Sequence, residues 1–250
     1  MQHHTSIPLP PQDLTICFGG GDFVQGGQML LDHLVRHANL KPHERVLDVG
    51  CGAGRGAFAL ASYLNAEGSY LGFDTYPFGV DWCRENITPL RPNFRFELVD
   101  VYSGVYNPFS AVKASELRFP CDDASFDVVV LNSVFTHMLP EDMAHYLEEI
   151  SRVLSPGGRM FATFYLMNAD ARAHMAKGNA NPNFTHSYAS FHVANPKSLE
   201  DAVAYKEGLV HRLLLRNGLN VDCVLYGRWC GRAEGENGQD MLVASRCAKQ

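Results

Sequence analysis

Apolar residues recur at helical spacing in some stretches of the chain and run without interruption in others, and the two patterns alternate. QGGQMLLDHLVRHANL (25–40) sets Met29, Leu30, Leu34 and Val35 near one side of a helix that KPHE ends. RVLDVG (45–50) reads as a short strand, and AGRGAFALASYL (53–64) as a helix with Phe58, Leu60, Ala61 and Leu64 available for packing. GSYLGFDTYP (68–77) supplies the next strand, FGVDWCRENI (78–87) the next helix and NFRFELVD (93–100) a third strand. Residues 101–125 are turn-rich and read as a loop excursion before a fourth strand in FDVVVLNSVF (126–135).

LPEDMAHYLEEISRVLSPGGR (139–159) carries the clearest helix signals. Pro140 suits the first turn, Glu141 and Asp142 suit the positive end of the helix dipole, and Gly157-Gly158 ends the unit before strand MFATFYL (160–166). Residues 167–200 are polar and rich in Asn, His and Pro, without a clear period. A helix over 201–218 follows, then strands in LNVDCVLYGRWCG (219–231) and DMLVASR (240–246). Residues 1–15 are Pro- and His-rich and read as a poorly ordered tail or a surface arm. Strand and helix alternate until two strands arrive close together, which predicts an α/β sandwich with a mostly parallel sheet closed by an antiparallel hairpin.

Length and charge narrow the classes. The 250 residues suffice for one large α/β unit with an insertion, and no internal repeat is visible. With 27 acidic against 21 basic residues and no basic run, nucleic acid is not the expected partner. The seven cysteines are scattered with no CxxC pair, which favours free thiols in a reducing compartment. No apolar window reaches membrane-spanning length, and a cytoplasmic, membrane-free protein is the expectation.

Two glycine clusters compete for a ligand-binding role, CFGGGDF (17–23) and VLDVGCGAGRG (46–56). In the second, an apolar strand runs into Gly50, Gly52, Gly54 and Gly56 and a helix begins at once, the context in which glycine lets backbone approach a ligand. Asp74 closes the following strand, where a carboxylate can accept both hydroxyls of a ribose or can cap the TYPFG turn. A dinucleotide enzyme would use the same acid. Asp48, two residues before the first glycine, is a poor neighbour for a pyrophosphate and a good one for a cationic or amine group, so the pattern points to a nucleoside without phosphates.

VLDVGCGAGRG, Asp74, SFDVVVLNSVFTHMLPEDMAHYLEEISRVLSPGG and the closing strand pair together resemble the class I S-adenosylmethionine-dependent methyltransferases, over about residues 40–247. The resemblance implies a Rossmann-like seven-stranded sheet of order 3-2-1-4-5-7-6 with strand 7 antiparallel, S-adenosyl-L-methionine as cofactor, and residues 1–39 as an arm and cap helix. It places Gly50, Cys51 and Gly52 along the methionine and sugar part, Asp74 on the ribose and Asn132 on the methionine side, with Gly54, Thr75, Tyr76 and Ser133 as further cofactor-binding candidates. Asp48 corresponds to the acid of the first motif. The long excursion after the third strand departs from the family pattern and leaves two candidates for the adenine, Asp100 or the Ser115-Glu116 pair. Tyr76 and Trp82 are further candidates to cover the purine.

For the acceptor, His137 follows the fourth strand and is a candidate base or positioning group. His186, Tyr188 and His192 lie in an insertion at about 167–200, at the edge where such folds build an acceptor cap, and an extended segment would turn them to one face. No metal centre is expected, since these residues lack a nearby carboxylate. The loop 226–240 is read as exposing Trp229, Arg228 and Arg232 at the acceptor rim or a subunit contact. LNSVF stands where nucleic-acid or protein methyltransferases carry an NPPY-like motif, so the expected acceptor is a small molecule and the expected state a monomer or homodimer. The rival readings are an NAD-dependent oxidoreductase and a non-catalytic adenosyl-ligand-binding protein. The helix after the first cluster should bring Phe18, Gly19–Gly21 and Asp22 toward the cofactor mouth as a candidate hinge or lid, with Phe23 covering the site, or as a plain connector that Asp22 caps.

Overall fold

A computed structural model describes residues 7–247. The chain begins with a short helix α1 (Gln12–Cys17) and a long one α2 (Phe23–His37), so the expected surface arm is helical over its last part, while residues 1–6 lie outside the described residues. There follow β1 (Arg45–Val49), α3 (Arg55–Tyr63), β2 (Ser69–Asp74), α4 (Pro77–Asn86), β3 (Phe94–Leu98), β4 (Phe126–Leu131), α5 (Pro140–Val153) and β5 (Leu154–Phe164). The last part holds β6 (Leu166–Met167), α6 (Ala169–Met175), β7 (His186–Ser187), β8 (Phe191–Val193), β9 (Val203–Lys206), α7 (Glu207–Arg216), β10 (Leu219–Leu225) and β11 (Asp240–Arg246).

Seven strands form the main sheet in the order β10-β11-β5-β4-β1-β2-β3. β1, β2, β3, β4 and β5 are parallel, and β11 is antiparallel to both β5 and β10, which is the order and the antiparallel seventh strand expected of a class I methyltransferase sandwich. The inner strands read as continuous apolar runs because both sheet faces are covered: Val128, Val129 and Val130 of β4 are all buried. One core layer packs α5 and α7 on the sheet through Leu147, Ile150, Val210 and Leu214, and the opposite layer packs α2, α3 and α4 through Leu34, Leu60, Val80 and Cys83.

Four local expectations change. On α2 the buried stripe is Leu30, Leu31 and Leu34, whereas Met29 and Val35 are exposed. β5 starts at Leu154 rather than after Gly158, so the two glycines lie inside the strand instead of before it. Residues 203–206 are strand and not the first turn of the helix that follows. Within 167–200 and just beyond it, β6, β9, β8 and β7 build a second, four-stranded sheet of strands two to four residues long, too short to show a period in sequence.

Candidate functional site

β1 delivers the chain at Val49 to the glycine turn, and α3 leaves that turn at Arg55. Gly52 adopts φ +55°, and a Cβ on it would lie 2.8 Å from the ring of Phe18, so both the backbone conformation and the close approach require glycine. Asp74, at the carboxyl end of β2, accepts a hydrogen bond from the Gly52 amide through Oδ2 (2.7 Å) and one from the Tyr76 amide through Oδ1 (2.9 Å). It therefore braces the glycine turn and the start of α4 together. With the Thr75 amide also acting on it, the carboxylate still keeps acceptor capacity for a ligand hydroxyl.

A cleft of about 1000 Å³ opens at the carboxyl ends of β1, β2 and β4. Asp48 reaches it from inside β1, where the hydroxyl of Tyr70 donates to its Oδ2 at 2.6 Å, and Oδ1 takes no hydrogen bond among the described residues. Burial pushes the Asp48 carboxyl up to about 7, against the lowering effect of the Tyr70 hydroxyl. Burial also raises Asp74, and the backbone amides of Tyr76, Gly52 and Thr75 oppose it. Neither carboxylate has a basic ion-pair partner among the described residues. Two buried acids lacking a counter-charge make a site suited to a cationic, hydroxyl-bearing ligand.

A family profile described as a methyltransferase domain matches residues 40–218. The chain belongs to this methyltransferase family. Among curated relatives, a carboxy-S-adenosyl-L-methionine synthase of Photobacterium profundum is 27% identical over 63% of this chain and 60% of its own length. A fatty-acid O-methyltransferase of Mycolicibacterium smegmatis is 35% identical over 52% of this chain and 38% of its own length. A tRNA N(3)-cytidine methyltransferase of Gallus gallus is 27% identical over 54% of this chain, which spans about a third of that relative (34%). Among solved structures, a SAM-dependent methyltransferase from Aquifex aeolicus aligns with a TM-score of 0.58 at 18% identity, over 96% of this chain and all of its own (100%). The [4+2]-cyclase SpnF aligns with a TM-score of 0.60 at 18% identity, over 98% of this chain and 100% of its own. The class I methyltransferase fold is thus shared with a protein named for another reaction, and the chemistry has to be read from the cleft.

Of the residues singled out from the sequence, Asp48, Gly50, Cys51, Gly52, Asp74, Thr75, Ser115, Asn132, Ser133 and His137 line the cleft. Gly54 does not: its positive φ serves the turn, and a Cβ there would strike the Cys83 sulfur at 2.7 Å. Asp100 and Glu116 are exposed and off the cleft, Asp100 accepting from the Asn107 side chain, so of the two adenine candidates only Ser115 is at the wall. Tyr76 stands behind the wall, edge-on to Phe18 at 5.5 Å between ring centroids. Trp82 packs against the core.

The acceptor-cap residues are not brought together. His186 and Tyr188 are exposed, Tyr188 stacks on Phe191 at 4.6 Å, and His192 is buried on the neighbouring strand with its Nδ1 against Ser187 Oγ at 2.9 Å. A hairpin separates them where a single extended segment was expected, because β7 and β8 pair Ser187 with His192. Trp229 is not exposed either. It is 3% accessible and donates through Nε1 to Asp240 Oδ2 at 2.7 Å, and Arg232 is spent on Asp170 and Asp240; only Arg228 of the three is at the surface.

His137 sits on the turn between β4 and α5, with Nδ1 3.0 Å from the carbonyl oxygen of Glu200. A carbonyl only accepts, so Nδ1 carries a proton, and in the neutral ring Nε2 is the nitrogen with the free lone pair. Phe18, expected near the mouth, does line the cleft, whereas Tyr106, Lys113, Glu200 and Gln239 lie outside the long periodic elements and had no periodic signal to reveal them. Phe18 stacks on Tyr106 at 5.5 Å and 17°, and the Tyr106 hydroxyl donates to the carbonyl of Cys17. Arg55 Nη2 donates to the carbonyl of Gly20 at 2.7 Å, fastening the first glycine cluster above the second.

Proposed function

We propose that the chain transfers a methyl group from S-adenosyl-L-methionine to an oxygen or nitrogen atom, a carboxylate included, of a small metabolite. The observation that carries this reading is the pair of buried, uncompensated carboxylates, Asp48 and Asp74, beside the bare backbone of Gly50–Gly52. These groups fit the cofactor: Asp74 has lone pairs free for ribose hydroxyls, and Asp48 Oδ1 is free for a cationic end. When bound, S-adenosyl-L-methionine supplies an electrophilic methyl on a sulfonium. The protein's part is alignment and exclusion of water, and the apolar walls formed by Val101, Met138 and Leu139 do not oppose a step in which positive charge is dispersed. His137 Nε2 can take a proton from a hydroxyl or ammonium acceptor, whereas a carboxylate acceptor needs no base.

Phe18 and Gly19–Gly21 form, in the same proposal, a lid on the cofactor. The names of relatives span oxygen and nitrogen acceptors, among them a fatty-acid O-methyltransferase and phosphoethanolamine N-methyltransferases. The acidic balance and the lack of a basic run favour these small acceptors over the tRNA of another relative. Among the described residues no helix is long and apolar enough to cross a membrane. Calorimetric titration with S-adenosylmethionine, S-adenosylhomocysteine and NAD tests the reading. Saturable binding of both adenosyl ligands is expected, and NAD binding without a response to either would overturn it.

A further inference from the structure

Away from the cleft, α2 and the loop before β11 bring together two imidazoles and a carboxylate. His33 and His37 stand four residues apart on one face of α2, their rings 5.9 Å apart between centroids and 26° from parallel. Glu236, from the loop between β10 and β11, places Oε2 3.0 Å from His37 Nε2 and 3.6 Å from His33 Nδ1. One ligand atom from each of the three residues lies within 4.8 Å of the other two.

We propose that His33, His37 and Glu236 bind a divalent cation of the zinc class. Four features of the cluster support a cation site over a simple surface latch. Ligand atoms around a tetrahedral zinc ion sit about 3.3 Å apart, given metal–ligand distances of about 2.0–2.1 Å, so the three atoms need only close by side-chain rotation. Two histidines at i and i+4 share one helix face, which presents both to a single ion. His33 is 8% accessible, and neither of its ring nitrogens makes a hydrogen bond among the described residues, a cost that a metal bond removes. Two imidazoles and one carboxylate form a borderline-soft donor set that selects zinc or its first-row neighbours over magnesium or calcium.

Arg36 is the competing group: its Nη1 is 3.1 Å from the same Glu236 oxygen. Its side chain is 62% accessible and can turn to water when an ion takes its place, so its pairing is the weaker of the two claims on the carboxylate. Three protein ligands leave a fourth position for water. His33 also lines a smaller cavity of about 370 Å³ that shares Asn132, Ser133 and Gln239 with the methyl-transfer cleft, so an ion here would pin the loop carrying Gln239 beside that cleft.

The test uses the full chain with Zn(II), and with Co(II) as a spectroscopic probe. One zinc per chain with a micromolar or tighter Kd is expected, weakened at least tenfold in E236Q and lost in H37A. Retention in a chain with both His3 and His4 changed to alanine is expected, together with a cobalt spectrum free of thiolate charge transfer. Both E236Q and H37A alter groups at the rim, and an unchanged circular dichroism spectrum with loss of the zinc-induced rise in Tm separates lost binding from lost fold. Absence of stoichiometric zinc, binding that survives H37A, binding that disappears with His3 and His4, or a thiolate band from the free cysteines would each overturn the proposal.

Discussion

Asp48 is where burial and charge are most sharply opposed. Its carboxyl titrates near 7 in the folded chain and near the ordinary carboxylate value when unfolded, so the folded state holds the proton more tightly. The sign follows: its contribution to stability is present at low pH and is lost as pH rises from about 4 through about 7. D48N is expected to raise the Tm of the ligand-free protein by roughly 5 °C at pH 8, and by clearly less at pH 5, in thermal denaturation followed at both values. A cationic ligand favours the ionised carboxyl, so affinity for S-adenosylmethionine should climb up to about tenfold between pH 6 and pH 8, and D48N should flatten that slope in calorimetry. G52A combines a left-handed backbone with a contact on Phe18. Weakening of cofactor binding by about five- to thirtyfold is expected if the strain of order 1–2 kcal/mol falls on the ligand-binding turn of the proposal.

The glycines of the first cluster act through the element they join. Gly19, Gly20 and Gly21 all have positive φ (84°, 60° and 73°), yet no atom lies within 4 Å of where their Cβ atoms would be, so glycine is required there for backbone conformation and not for space. They turn the chain sharply between α1, which buries no residue, and α2, whose first turn Asp22 caps by accepting from the Gln25 amide at 2.9 Å. The connector and lid readings of CFGGGDF are therefore compatible. Asp22 ends the connector, and Phe18 rather than Phe23 covers the glycine turn, while Phe23 packs at the cleft wall under the Arg55 guanidinium. Replacing all three glycines by alanine, or removing residues 1–24, should raise KM for S-adenosylmethionine several-fold, measured in steady-state assays. The triple substitution should lower Tm by little, because α1 contributes no fully buried residue to the core. Unchanged kinetics would leave α1 as a connector alone.

Across the whole molecule, Asp240 joins the second sheet to the main one. Fully buried at the start of β11, it accepts from the amides of Leu166 and Gly227 and from Trp229 Nε1, each at 2.7 Å. D240A leaves these donors unpaired at a cost of about 3 kcal/mol or more, and a Tm lower by about 6–12 °C is expected in calorimetric scans. A loss of under about 2 °C would show that water replaces the carboxylate. The parallel sheet, its flanking helices and the glycine turn were legible in the sequence because each depends on local signals: continuous apolar strands, helical periodicity, Pro140 at a helix start, and glycines between a strand and a helix. The strand order followed from the resemblance those signals carried, and β10 and β11 pair as the antiparallel hairpin their spacing implied. Strands of two to four residues leave no period to read, which is why the second sheet was hidden, and with it the separation of His186 and Tyr188 from His192. By itself the sequence determined which segments form the sandwich and where the glycine turn between β1 and α3 lies, since both are written in neighbouring residues. Only the tertiary structure decided that Trp229 is buried on Asp240, that Tyr106 stacks on Phe18 beside the cleft, and that Glu236 meets His37 from 199 positions away, because such contacts depend on how loops distant in sequence pack against one another.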